Sequence, residues 1–126
     1  RRLSMLLAVL EKRLKLPMGT RDTFVNLVGG LRIDDPAADL AVIGAIASSA
    51  LDKPIPHDMI LIGEVGLAGE VRSVSQLEKR LIESQTLGFK SAIVPKFGFK
   101  KMNTPPKNMK YHLVESVKKV FEIIFP

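Results

Sequence analysis

Residues 36–50, PAADLAVIGAIASSA, constrain the fold more than any other stretch. Leu40, Val42, Ile43 and Ile46, with alanines between them, make a predicted helix that is apolar round nearly its whole circumference. Such a helix has no proper solvent face and must be buried against another layer. A chain of 126 residues is one domain on length and long enough to close a core around it. The natural partner is a sheet.

Strand-like runs supply one. Thr23–Val28 is β-rich and closed by Gly29-Gly30, Met59–Gly63 is a short strand, and Ser91–Val94 and Met109–Leu113 follow. The segment GEVGLAGEV, 63–71, reads as a hairpin with Gly66 or Gly69 supplying the turn. Helical spacing predicts an amphipathic helix over 2–15, with Leu3, Leu6, Leu7, Leu10 and Leu14 as its stripe and Pro17 and Gly19 ending it. Further helices are expected over 76–87, stopped by Gly88, and over 114–125, with Val117, Val120, Phe121 and Ile124 inward. KPIPHD reads as a loop, and so does 95–108, with three prolines and little periodicity. Strands and helices interleave, so the class is α/β.

Two helix starts carry polar signals. Asp35 is placed to cap the buried helix, and Pro36 suits its first position because no N–H is needed there. Asp34 and Asp39 add negative charge near the positive end of the helix dipole. A hard cation would want third and fourth ligands that this segment does not supply. Ser75-Gln76-Leu77-Glu78 has the pattern of a capping box, Ser75 capping and Glu78 reaching back.

Composition narrows the chemistry. With no cysteine, the chain forms no disulfide, thiolate nucleophile or cysteine zinc site, which fits a reducing compartment. His57 and His112 stand far apart, each in a setting where a structural histidine is commoner than a metal ligand. No apolar run reaches the roughly 18–20 residues of a membrane span. The chain opens on Arg1 without an apolar leader, and reads as a fragment of something longer. Its net charge of +6 is uneven: residues 1–89 balance, whereas 90–126 hold eight lysines against Glu115 and Glu122. That asymmetry points to an anionic partner, most simply nucleic acid.

Three blocks, VNLVGGLRIDDPAADLAVIGAIASS, IGEVGLAGEVRSVSQLEKRL and LGFKSAIVP, together resemble the C-terminal domain of the RadA (Sms) family of bacterial DNA-repair proteins. That domain is itself similar to the proteolytic domain of Lon proteases. The resemblance implies a Lon-proteolytic-domain-like (ribosomal protein S5 domain 2-like) fold, a mixed sheet packed with about four helices. It makes residues 1–126 a single domain, a C-terminal part of a longer RecA-like ATPase.

Lon proteases use a Ser–Lys dyad, each member at the start of a helix. Laid on this chain, Ala37 takes the nucleophile position and Glu78 the lysine position. Alanine has no nucleophile, and a carboxylate does not replace a desolvated amine as its base. Lys79 is about 100° round the helix from Glu78. Ser48 and Ser49 lie more than two turns from the dyad position, with no evident base. The alternative is an active serine peptidase with a relocated Ser/Lys dyad.

The resemblance further implies a scaffold role in a hexameric, ATP-dependent DNA motor acting in recombination. Single-stranded or branched DNA and a RecA-type recombinase would be its partners, and the location cytoplasmic. ATP, magnesium and zinc belong to family domains that precede this one, since neither zinc-finger cysteines nor a GxxxxGKS/T phosphate loop is present. For DNA, KFGFKK is the expected contact: Lys96, Lys100 and Lys101 on phosphates, Phe97 and Phe99 on bases, Lys107 and Lys110 extending the patch. Lys79 and Arg80 are weaker candidates, expected to pair with Glu83 on their own helix.

Overall fold

The computed structural model describes residues 2–15 and 35–126. The strand expected over Thr23–Val28, the Pro17 and Gly19 stop, and Asp34 lie outside these residues. The elements are α1 (Arg2–Arg13), α2 (Asp39–Leu51), β1 (Met59–Leu61), β2 (Glu64–Val65), β3 (Val71–Arg72), α3 (Leu77–Thr86), β4 (Ser91–Pro95), α4 (Lys96–Lys100), β5 (Lys110–Val114) and α5 (Val117–Ile124).

The sheet is three-stranded and parallel in the order β1-β4-β5, with Leu61 beside Ile93 and Pro95 beside Val114. The antiparallel part is a separate two-stranded ribbon, β2 with β3, Val65 facing Val71. Gly69 turns that ribbon at φ +81°, a left-handed backbone that favours glycine. The α/β class holds; among the described residues the parallel and antiparallel pairings fall in two sheets.

Alternation along the central strand decides where the helices go. Ile93 of β4 packs in one cluster with Leu10, Leu40, Ile43, Leu61 and Val120. Its neighbours Ala92 and Val94 point the other way, into a second cluster with Ala37, Ile62, Leu77 and Leu81. Successive strand residues face opposite sides, so a parallel sheet covered on both sides reads as a continuous apolar run. Helices α1, α2 and α5 therefore cover one face, and α3 with α4 covers the other.

Helix α2 is buried as its composition requires: Leu40, Ile43, Ile46 and Ala47 are wholly inaccessible. Gly44 lets it close on β1, for a Cβ there would lie 3.0 Å from Leu61 Cδ2 and 3.2 Å from Ile55 Cδ1. The helix is preceded by a 3-10 turn, Pro36–Ala38, and Asp35 caps that turn by accepting from the Ala37 N–H at 3.0 Å.

Three expectations need correction. The capping box does not form: Gln76 holds the N-cap position of α3 in left-handed backbone, with no side-chain cap from Ser75, and Glu78 is exposed. Lys96–Lys100 is a helical turn rather than loop, making five α-helices among the described residues. Periodicity over five residues is too short to announce itself. The last helix starts at Val117, because Val114 is taken by β5 and Ser116 caps the helix by accepting from Lys119 N at 3.1 Å.

Candidate functional site

The 3-10 turn, β1 and α3 border an open cavity of about 310 Å³. Ala37, 6% exposed, lines it, with Ile60 and Ile62 as apolar floor and Arg80, Glu83 and Ser84 on the α3 side. Arg80 Nη1 donates to Asp35 Oδ2 at 2.8 Å, and its Nε donates to the Ser75 carbonyl at 2.8 Å. The arginine thus ties the start of α2 to the start of α3, and does not pair with Glu83 as expected. The Ala37 N–H and then the Arg80 guanidinium hold the Asp35 carboxyl below its ordinary range. Glu78 does not line the cavity.

Hydroxyls near this region are committed elsewhere. Ser84 is buried and lines the cavity, and its Oγ donates back to the Arg80 carbonyl at 2.8 Å, a local helix bond. Ser48 donates to the Lys53 carbonyl at the far end of α2. Lys79 is exposed on α3 and bonded to no serine among the described residues. Among those residues there is also no His, Cys, Asp and Glu group able to hold a metal. His57 is exposed; His112 is half-buried in β5, its imidazole pushed down by burial and then by Lys110.

The lysines expected to form one patch separate into two. Lys96 opens α4 at the end of β4 and pairs with Glu115 at 3.1 Å, so its charge is answered within the chain. Phe97 is 68% exposed, beside exposed Lys100 and Lys101. Phe99 turns inward onto Tyr111, ring centroids 4.7 Å apart, so its face is committed to packing and stacking narrows to Phe97. Lys110 lies at the other end of the sheet, paired in register with Ser91 at the start of β4. Five strand residues separate the two ends by roughly 13 Å. Lys110 there joins Lys107 and Lys90, both exposed, and its N–H donates to the Lys90 carbonyl. Lys90 was visible in the sequence only as one charge in a run; strand register brings it to Lys110.

Residues 21–126 match the Lon protease (S16) C-terminal proteolytic domain. The chain belongs to this family. A "DNA repair protein RadA" from Aquifex aeolicus is 40% identical over 124 residues, 98% of this chain and 27% of that protein. RadA proteins of Escherichia coli K12 and Chlamydia pneumoniae are 42% identical over 123 residues and 50% over 94, covering 98% and 75% of this chain and 26% and 21% of those proteins. The Lon-like domain thus spans about a quarter of the length of these relatives, and it is a Lon-like domain of the RadA type.

Ala37 lines the cavity, whereas Glu78 is exposed to solvent. The charged groups lining the cavity are Asp35, Arg80 and Glu83. Sequence reasoning missed one more residue. Asp39 is 0% exposed and takes Arg2 Nε on Oδ1 at 2.7 Å and Arg2 Nη2 on Oδ2 at 3.0 Å. Its Oδ2 also accepts from Val65 N at 3.0 Å, and Arg2 further reaches Glu64 at 3.3 Å. Hydrogen bonding to Asp39 is the main cause holding the Arg2 guanidinium above its ordinary value. This cluster joins α1, α2 and β2, where the sequence offers Asp39 only as a charge near the positive end of a helix dipole. Its one sequence signal was a lone carboxylate on an otherwise apolar helix. Among the described residues no helix is long and apolar enough to cross a membrane.

Proposed function

We propose that this Lon-like domain is a non-proteolytic module of a RadA-type DNA-repair protein. It scaffolds that protein's hexamer and offers a basic surface to single-stranded or branched DNA. The first part is supported by the resemblance, which lays the nucleophile position on Ala37, and by the one observation that Ser84, the buried hydroxyl of the cavity, is bonded back to its own helix. A Ser–Lys peptidase needs a hydroxyl and a desolvated amine within hydrogen-bond reach of each other. Ser48 and Lys79 do not offer that pair.

The DNA reading is supported by exposed lysines that have no acidic partner among the described residues, including Lys90, Lys107 and Lys110 at one sheet end and Lys100 and Lys101 near Phe97 at the other. Each phosphate they neutralise releases condensed counterions, so the affinity falls steeply with salt. Phe97 can stack on a base, which is worth about 1–3 kcal/mol. By the same reading ATP, magnesium and zinc act in other domains of the longer protein. That protein works in the cytoplasm on recombination substrates beside a RecA-type recombinase.

Two assays test the proposal. Casein and fluorogenic peptides should stay intact with the 126-residue chain; cleavage abolished by Ser84→Ala or Ser48→Ala would overturn the non-proteolytic reading. Fluorescence anisotropy with a labelled oligothymidylate should show salt-sensitive binding. Combined replacement of Lys90, Lys107 and Lys110 by Ala should lower the log–log salt slope by about 2, at roughly 0.7 per lost contact on single strands. An unchanged slope removes that end of the sheet from the interface.

A further inference from the structure

The turn of the β2–β3 ribbon holds a large apolar side chain out in solvent. Leu67 is 70% exposed, yet the turn that carries it is tightly tied. Gly66 N–H donates to the Glu70 carbonyl and Gly69 N–H to the Gly66 carbonyl, each at 2.9 Å. The Glu70 carboxylate folds back over the turn, accepting from Ala68 N–H at 3.1 Å and from Arg72 Nη2 at 2.8 Å. Gly66 makes room for it, since a Cβ there would collide with that carboxylate. An apolar group fixed in advance loses little freedom when a partner covers it.

Cations from two other elements meet at this turn. Arg13, in the last turn of α1, lies against Gly69, where a Cβ would be 3.6 Å from its Cγ. Val117 N–H, opening α5, donates to the Gly69 carbonyl at 2.9 Å, which brings Lys118 beside the turn. Lys12 and Lys15 flank Arg13, and all four cations are exposed without an acidic partner among the described residues. The nearby carboxylates are committed, Glu70 to Arg72, Glu115 to Lys96 and Glu122 to Lys119, so only Glu11 offsets the corner's positive charge. Lys12 and Arg13 suit the negative end of α1. Lys118 has no such reason: it stands in the first turn of α5, at the positive end, with no acidic residue in that turn.

An apolar knob with a net basic rim calls for an occupant that answers both. A phosphate strand answers the cations alone, for Leu67 has no flat face on which a base could stack. A polypeptide with carboxylates on either side of a large apolar side chain answers both. We propose that this corner, built from the end of α1, the ribbon turn and the start of α5, docks such an acidic segment of a partner protein. Its apolar side chain packs on Leu67 and Ala68, and its carboxylates pair with Arg13 and Lys118. The inference is independent of the DNA reading and stands or falls separately from it.

The test titrates the ¹⁵N-labelled 126-residue chain with acetyl-Asp-Asp-Phe-Asp-Asp-amide, with the same peptide carrying Ser for Phe, and with oligothymidylate. The Phe peptide should give saturable shifts at the Arg13, Leu67, Ala68 and Gly69 amides, and the Ser peptide should bind about ten-fold more weakly. Leu67→Ser should bring both peptides to the same weak affinity, with thermal unfolding close to wild type because the side chain is exposed. Combined Arg13→Glu and Lys118→Glu should weaken the Phe peptide about ten-fold or more. No saturable shifts at these amides, equal affinity for the Phe and Ser peptides, or a Phe peptide indifferent to Leu67→Ser would each overturn the proposal. So would an oligothymidylate that displaces the Phe peptide from these amides, which would make the corner a nucleic-acid surface.

Discussion

Replacing Arg2 by Leu is the sharpest test of how this domain is held together. Asp39 is fully buried on the first turn of α2, while the Arg2 side chain is 30% exposed. Breaking a fully buried pair costs about 3–5 kcal/mol, because a charge is left behind without compensation, whereas an exposed pair is worth about 0–1 kcal/mol. Arg2→Leu leaves the Asp39 carboxylate with Val65 N–H alone, and water reaches it only partly through the vacated site. The expected loss is therefore about 2–3 kcal/mol, a large share of the roughly 5–15 kcal/mol that holds a domain together. Urea unfolding followed by circular dichroism should show the midpoint fall by roughly 1 M at unchanged slope. Asp39→Asn in the Arg2→Leu background removes the stranded charge and keeps an acceptor for Val65 N–H. It should recover stability, giving a coupling of about 1 kcal/mol or more. An Arg2→Leu loss under about 0.5 kcal/mol, or strict additivity in the double variant, would refute the reasoning.

Three further outcomes follow from the same contacts. Asp35 has its pKa lowered in the fold, so its contribution is present above the ordinary carboxylate pKa and is lost as pH falls through the folded value. The Tm gap between wild type and Asp35→Asn should accordingly be open at neutral pH and close on acidification; a gap constant with pH contradicts it. Gly44→Ala gains roughly 1 kcal/mol of helix propensity but drives a Cβ against buried Leu61, and overpacking of about 1–3 kcal/mol should win. Calorimetry should thus show a lower Tm for Gly44→Ala, with a rise counting against close α2–β1 packing. Phe97→Ala should weaken oligothymidylate binding about five-fold or more with little change in salt slope, whereas Lys96→Ala, its charge already answered by Glu115, should change neither much.

Much of the architecture is legible in the sequence. Helix α2 was evident because its apolar residues leave no solvent face, and Asp35-Pro36 marked its entrance through bonds within a few residues. The ribbon was readable from GEVGLAGEV, and Gly69 supplies its positive φ. The Ser75 capping box failed for an equally local reason. Its pattern matched, but the backbone enters α3 through left-handed Gln76, where the cap geometry is not available. Helix α4 escaped notice because five residues do not complete a second turn of periodicity.

The residues that define the site divide along the same line. Elements and their apolar faces follow from short-range pattern, since periodicity and capping act over three or four residues. The Arg2–Asp39 pair joins residues 37 apart, and the Arg80–Asp35 pair residues 45 apart. A formal charge in a string looks the same whether it meets a partner or water, and only the packed chain decides. Tertiary structure therefore turned Asp39 from a dipole charge into a buried anchor and pointed Arg80 across the cavity. It also answered Lys96 with Glu115, set Phe99 against Tyr111, and brought Lys90 beside Lys110.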